Sequence, residues 1–305
     1  MSFLAGRVAI VTGAGRGLGR AHALELARHG ARVVVNDLGV ARDGARPSTS
    51  LEANGEADEV VAEIKALGGD AIVSKDDVAD WTAAGRMVTA ALDTWGRLDV
   101  VVCNAGFLRD RMFVSSVEDE WDAVMRVHVK GHVAVARHAA AHWRDLVKQG
   151  GAVDARIINT TSGAGLQGSI GQAAYAAAKG AIASLTIVQA AELGRYGVTA
   201  NAIAPAARTR MTEVAFGDMM KKPETGFDAM APENVSPLVA WLASAESRGI
   251  SGRVFDVSGG VIAVEDGWRP ATSIDRGARW DARELGAAVR DLVASAPAPA
   301  KVWGA

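Results

Sequence analysis

Short, nearly all-apolar runs alternate along this chain with longer stretches in which apolar residues recur every three or four positions. The short runs are Val8–Thr12, Arg32–Asn36, Asp70–Ser74, Leu98–Val102, Arg156–Thr160, Gly197–Ile203 and Arg253–Val257. Their residues are apolar in succession, the mark of strands covered on both faces. The longer stretches predict helices over 18–29, 57–67, 82–95, 118–147 and 173–195. Strand–helix alternation of this kind predicts right-handed crossovers and a doubly wound, parallel, seven-stranded α/β sheet with helices on both faces. No solenoid repeat appears, and no Pro/Gly/Ser-rich linker divides the first 260 residues. Residues 1–267 therefore read as a single domain. Residues 268–305 read as a C-terminal extension, partly disordered or docked on the domain or on a neighbouring subunit.

Three segments break the rhythm. Gly39 to Gly55 is a polar loop carrying Arg42, Asp43, Arg46 and Pro47. Pro205 to Pro232 holds Met211, Met219, Met220 and Met230 with Lys221-Lys222, and fits either a lid over substrate or a surface excursion with buried methionines. Trp268 to Ala305 carries Trp268, Trp280 and Trp303 and ends in a Pro/Ala tail.

Composition narrows the classes. The 305 residues are 49% hydrophobic, enough for one large α/β core. A net charge of -2 gives no basic excess for nucleic acid. The lone cysteine, Cys103, excludes an internal disulfide and fits a reducing, cytoplasmic setting. The opening residues do not form a secretion signal, and no apolar run approaches the roughly 20 residues that span a bilayer. No cluster of His, Cys and Glu offers a metal site.

Two constellations carry chemistry. Gly13, Arg16, Gly17, Leu18 and Gly19 form a glycine-rich turn that follows the first strand and opens a helix. Gly13 allows a tight turn, Gly17 lets the backbone approach a pyrophosphate, and the helix start offers unpaired N–H groups to phosphate. A structural βα turn can also be glycine-rich, but Asp37 ends the second strand, 18 residues past Gly19. A carboxylate there can hydrogen-bond an adenosine ribose and repel a 2′-phosphate, which favours NAD over NADP. Arg16 pulls the other way, as a basic residue that could meet a 2′-phosphate or simply be solvated. The second constellation is Tyr175 and Lys179, four residues apart on one helix face. An ammonium beside a phenol is expected to lower the phenol's pKa, making Tyr175 an acid/base for hydride transfer between an alcohol and a ketone.

Over about residues 6 to 262, the order and spacing of these motifs resemble the short-chain dehydrogenase/reductase family of the non-metal, Tyr/Lys type, with a Rossmann-type sheet. The resemblance implies that Asn104-Ala105-Gly106 shapes the cofactor floor, with Cys103 standing where the family has a further Asn. It implies that Asp77 meets the adenine ring beside Val78, and that Ser162, 13 residues before Tyr175, orients the substrate oxygen. Lys179 also binds the nicotinamide ribose by this resemblance, Pro205-Ala206 stands for a Pro-Gly turn beside the nicotinamide, and Thr209 meets the cofactor's amide or phosphates. His128 replaces a family Asn whose carbonyl holds a proton-relay water; it reads either as a member of that relay or as a satisfied core histidine.

Longer stretches, among them Val34–Gly39, Leu108–Phe113 and Arg126–Gly131, resemble the dehydrogenase part of peroxisomal multifunctional enzyme type 2, also called 17β-hydroxysteroid dehydrogenase type 4, and its stand-alone bacterial relatives. That implies oxidation of (3R)-hydroxyacyl-CoA, with steroid-derived acyl chains included. A free steroid alcohol and a 3-oxoacyl-thioester remain rival substrates, and a silent nucleotide-sensing protein is the non-enzyme alternative. The family also implies a homodimer or homotetramer.

Overall fold

The computed structural model describes residues 2–39, 55–209, 212, 217–265, 267, 268, 272–282, 285–298 and 300–304. Most buried strand positions place apolar bulk on one face or the other of the sheet. In Val8–Thr12 (β1), Ala9 and Val11 join one core while Val8 and Ile10 join the other. The remaining strands are Arg32–Asn36 (β2), Ala71–Ser74 (β3), Val100–Cys103 (β4), Ala155–Thr160 (β5), Val198–Ala206 (β6), Val254–Ser258 (β7) and Val261–Glu265 (β8). They lie in the order β3-β2-β1-β4-β5-β6-β7-β8.

Helices Gly17–Arg28 (α1) and Glu56–Ala66 (α2) supply Leu26 and Val60 to the core that holds Ala9 and Val11. Trp81–Trp95 (α3) supplies Met87 to the opposite core. Sheet strands covered on both faces bury nearly all of their side chains, which is why alternation is missing from their sequences.

The sheet has eight strands, not the expected seven, and the last is antiparallel to β7. Gly259-Gly260 joins the two β-branched runs as a hairpin, with Gly259 at φ 55°. That signal is local and legible. The helix expected over 118–147 is also divided. Glu118–Met125 (α4) passes into a π-helical stretch, Arg126–Lys130, before Gly131–Lys148 (α5) continues. The expected loop at 39–55 lies almost wholly outside the described residues. Of the Met-rich stretch, Met211 lies outside them; Met220 is buried, and an Arg208–Asp228 ion pair fastens the part beyond it. Among the described residues no helix is long and apolar enough to cross a membrane.

After β1 the chain winds outward through β2 and β3, then returns to place β4 on β1's other side. This reversal opens a crevice at the carboxyl ends of β1 and β4, where the remaining helices deliver their side chains.

Candidate active site

The glycine turn sits at this reversal point. Gly13 and Gly17 have φ of 63° and 51°, a region that penalises a side chain. A Cβ on Gly13 would stand 2.8 Å from the Ala105 Cα, and one on Gly19 would stand 2.1 Å from the Gly13 carbonyl. Asn104 locks the floor: its Nδ2 donates to the carbonyls of Thr12 and Gly13 at 3.0 and 3.2 Å. The Thr12 hydroxyl accepts from the amides of Asn104 and Ala105 at 2.9 and 3.1 Å. The first helical residues, Gly17, Leu18 and Gly19, have amides with no intrahelical acceptor. Thr209 reaches the same turn, its methyl 3.5 Å from where a Gly17 Cβ would be. This backbone cradle, bare of side chains at Gly13, Gly17 and Gly19, fits a dinucleotide pyrophosphate.

Asp37 follows β2. Its Oδ2 accepts from the Gly15 amide at 2.9 Å and its Oδ1 from the Gly39 amide at 2.8 Å. Arg16 is paired with Glu56 at the start of α2. Asp77 lies beyond β3, accepting from Ala79 and held by Arg126 at 2.6 Å, and Val78 is buried beside Gly131. Pro205 lies on the same carboxyl edge, paired in register with Val257.

The second group lies across the crevice. Ser162 follows β5 and caps Gly163–Gln167 (α6), its hydroxyl accepting from the Ala164 amide at 3.2 Å. Tyr175 and Lys179 stand on Ala173–Leu193 (α7). A hydrogen bond from Ser162 favours the Tyr175 phenolate, while burial and the Asp110 carboxylate push the phenol's pKa up, burial most of all. The Lys179 Nζ is buried, 5.5 Å from the Tyr175 ring centre, and donates to the Thr160 carbonyl at 2.7 Å. Burial brings Lys179 down to about 7. The expectation that the ammonium would pull the phenol below its ordinary range is therefore corrected: burial outweighs the Ser162 hydrogen bond on Tyr175 and also lowers Lys179, so both groups are driven towards their neutral forms.

His128 lies on the π-helical stretch between the two groups. Its ring meets Tyr175 edge-on at 5.3 Å, and a Cβ on Gly106 would fall 2.4 Å from its Cε1. Nε2 shares a hydrogen bond with the Phe107 backbone, at 2.8 Å from the carbonyl. Burial holds its pKa well below 6.5, so the ring is neutral near pH 7. The geometry makes it a packed partner of Tyr175 rather than a titrating acid at neutral pH.

Residues 7–219 match the family model described as short chain dehydrogenase. The chain belongs to the short-chain dehydrogenase family. A hydroxyacyl-CoA dehydrogenase, ChsB1, from Mycobacterium tuberculosis is 44% identical over 95% of this chain and 90% of its own length. Mouse peroxisomal multifunctional enzyme type 2 is 43% identical over 93% of this chain, which spans 34% of that protein. The crystal structure of a short chain dehydrogenase from Mycobacterium avium is 56% identical, covers 99% of this chain and 100% of that one, and superposes with a TM-score of 0.88. As a short-chain dehydrogenase, the protein is an oxidoreductase that acts on CH–OH groups of a small-molecule substrate with a nicotinamide cofactor.

Sequence reasoning overlooks four residues that build this dehydrogenase site. Thr12 bridges the glycine turn and the cofactor floor. Arg126 holds Asp77. Asp110 acts on Tyr175 and is itself held by the Gln172 amide at 3.1 Å. Gly165 lets α6 lie directly on α7, since a Cβ there would stand 2.6 Å from the Lys179 carbonyl carbon and Gly180 nitrogen. Only Gly165 has a sequence signal, as the second glycine after Ser162. Of the basic residues that could meet CoA phosphates, Arg208 and Lys221 are paired with Asp228 and Asp218, whereas Arg42, Arg46 and Arg210 lie outside the described residues.

Proposed function

We propose that the protein oxidises the 3-hydroxyl of a hydroxyacyl-CoA, with NAD as the hydride acceptor. The observation that carries this reading is the arrangement of Ser162, Tyr175 and Lys179 opposite the glycine cradle, in a chain that matches a hydroxyacyl-CoA dehydrogenase over nearly its full length. Bound NAD supplies the electrophilic carbon that takes the hydride. Ser162 donates a hydrogen bond to the substrate oxygen and Tyr175 accepts the hydroxyl proton, so the oxygen lies between the two hydroxyls. Lys179 binds the nicotinamide ribose and, when protonated, stabilises the phenolate. His128 supports the edge of the Tyr175 ring. Glycines 13, 17 and 19 and the Asn104–Gly106 floor cradle the cofactor, Leu18 and Thr209 reach its phosphates, Asp77 and Val78 flank the adenine, and Pro205 backs the nicotinamide.

NAD is favoured over NADP because the Asp37 carboxylate stands at the ribose end of β2 and Arg16 is occupied by Glu56. The assembly is a homodimer or homotetramer, a setting in which the exposed Val261, Ile262 and Val264 of the edge strand β8 find cover. A cytoplasmic location agrees with the single, fully buried thiol, Cys103.

A second reading, reduction of 3-oxoacyl thioesters, is favoured by one observation: burial keeps Tyr175 protonated, ready to give a proton to a ketone. A panel of 3-hydroxyacyl-CoA, 3-oxoacyl-CoA and free steroid alcohols, run with both cofactors in both directions, decides. The proposal expects the highest kcat/KM on 3-hydroxyacyl-CoA with NAD. Equal efficiency on a free sterol would overturn it. Tyr175→Phe should lower kcat by about 1,000-fold or more while NADH titration stays unchanged; a variant with near-parental kcat removes Tyr175 from the reaction.

A further inference from the structure

The last residues of the chain lie against the segment that joins the two halves of the site. Residues 163–172 run from Ser162 to the start of α7, where Tyr175 stands in the first turn. Trp303 engages this segment repeatedly. Its amide donates to the Gly168 carbonyl at 3.1 Å, and its carbonyl accepts from the Ile170 amide at 3.0 Å. Together these form a parallel bridge to Ser169. Its indole Nε1 donates to the Gln167 Oε1 at 2.8 Å. The indole also lies over Gly163, where a Cβ would meet Nε1 at 3.4 Å and ring carbons at 3.5 Å. Val302 and Gly304 flank it, beside Gly168 and Ile170.

The far side of the segment is fixed by the loop after β4. The Arg111 amide donates to the Gly171 carbonyl at 2.6 Å, and Gln172 reaches Asp110 at 3.1 Å. The strip between Ser162 and Tyr175 is therefore held on one side by the β4 loop and on the other by the chain terminus. The surfaces flanking the strip are apolar: Met112, Phe113 and Val114 on the loop, Ile170 on the strip, Val302 and Trp303 on the tail, all exposed. Exposed apolar side chains on both flanks of a catalytic strip suit a long aliphatic substrate portion.

We propose that residues 300–304 are a C-terminal strap that forms one wall of the substrate entrance, with Trp303 as its specificity-determining, positioning residue. The strap sets the position of 163–172 and so the room left for the chain carried by the alcohol. This rests on the reading of Ser162 and Tyr175 as the reacting pair. Trp303 acts through Gln167 and Gly163.

The test compares the parent with a chain ended after Ala298, with Trp303→Ala and with Trp303→Phe, on 3-hydroxyacyl-CoA substrates of short, medium and long acyl chain. Truncation and Trp303→Ala are expected to raise KM for the longest chain by about tenfold, with kcat and NADH affinity changed by less than about twofold. Trp303→Phe keeps a ring over Gly163 and loses the Gln167 bond, so it should recover most of the KM. Amide exchange at 167–171 should quicken in the truncated chain. Unchanged KM at every chain length overturns the strap, as does a uniform loss of kcat with weakened NADH binding, the mark of general destabilisation. A parent that oxidises free alcohols and no thioester defeats the acyl-CoA reading instead; the same KM comparison across alcohols of rising size then decides for or against the strap.

Discussion

Tyr175 and Lys179 are driven towards their neutral forms by the same burial, and the consequence for lysine can be measured. Lys179 falls from 10.5 unfolded to about 7 folded. Between those values the unfolded chain holds a proton that the folded chain does not, so stability rises with pH across the window. At pH 7 and below, the folded protein carries most of the cost of a buried ammonium. Lys179→Met should thus stabilise the cofactor-free protein near pH 6.5 by a few kcal/mol, set against about 1 kcal/mol for the lost Thr160 bond. The gain should shrink by pH 10 while activity is lost at every pH. Melting curves at both pH values check this; a variant less stable at both contradicts the buried-ammonium account. Arg16 gives a second residue-scale prediction. Asp37→Ser combined with Glu56→Gln removes the carboxylate proposed to meet the ribose and frees the guanidinium, and should shift the kcat/KM ratio towards NADP by about tenfold or more. An unaltered cofactor ratio would show that other groups discriminate.

At the scale of elements, the site depends on two close approaches. One is the lie of α6 on α7, possible because Gly165 has no side chain. Gly165→Ala places a methyl 2.6 Å from backbone atoms of Lys179 and Gly180, which cannot yield without parting the helices. Ser162 and Tyr175 stand on those two elements. The variant should lose about 100-fold in kcat/KM with little change in NADH affinity, because the glycine cradle lies on different elements. Parental kinetics in a folded Gly165→Ala protein would mean that the helices tolerate the methyl. The other approach is Gly106 against the His128 ring, which the π-helical stretch at 126–130 turns towards the crevice. π-helical turns inside α-helices recur at functional sites. Here the bulge gives one helix contacts with the Asn104–Gly106 floor, with Asp77 through Arg126, and with Tyr175.

On the scale of the whole molecule, acid is its vulnerability. His22, His128 and His132 are fully buried; burial lowers His22 and His132 to about 3 and His128 well below 6.5. Below pH 6.5 the unfolded chain takes up protons at these positions while the folded chain does not, so stability falls as pH falls towards 3. Three such groups contribute roughly 4 kcal/mol per pH unit once well below pH 6.5. Urea midpoints at pH 7.5, 6 and 5 should drop with increasing steepness. A flat profile would mean that these rings are charged in the folded state. The sheet itself adds a whole-molecule lesson. Strands β1 to β7 were legible because burial on both faces demands continuous apolar runs. β8 escaped because it lies on the edge with Val261, Ile262 and Val264 exposed, although its Gly259-Gly260 hairpin was readable.

What the chain determined unaided is local or periodic: the doubly wound topology, the glycine turn that follows β1, and the i, i+4 pairing of Tyr175 with Lys179. These arise from contacts between residues close in sequence, or from patterns that burial imposes on every strand. Tertiary structure alone decided the balance of charge. The lysine's amine donates to Thr160 instead of pressing on the phenol, and Asp110, Arg126 and Trp303 arrive from distant parts of the chain. Desolvation depends on everything packed around a group, so no stretch of sequence encodes it by itself.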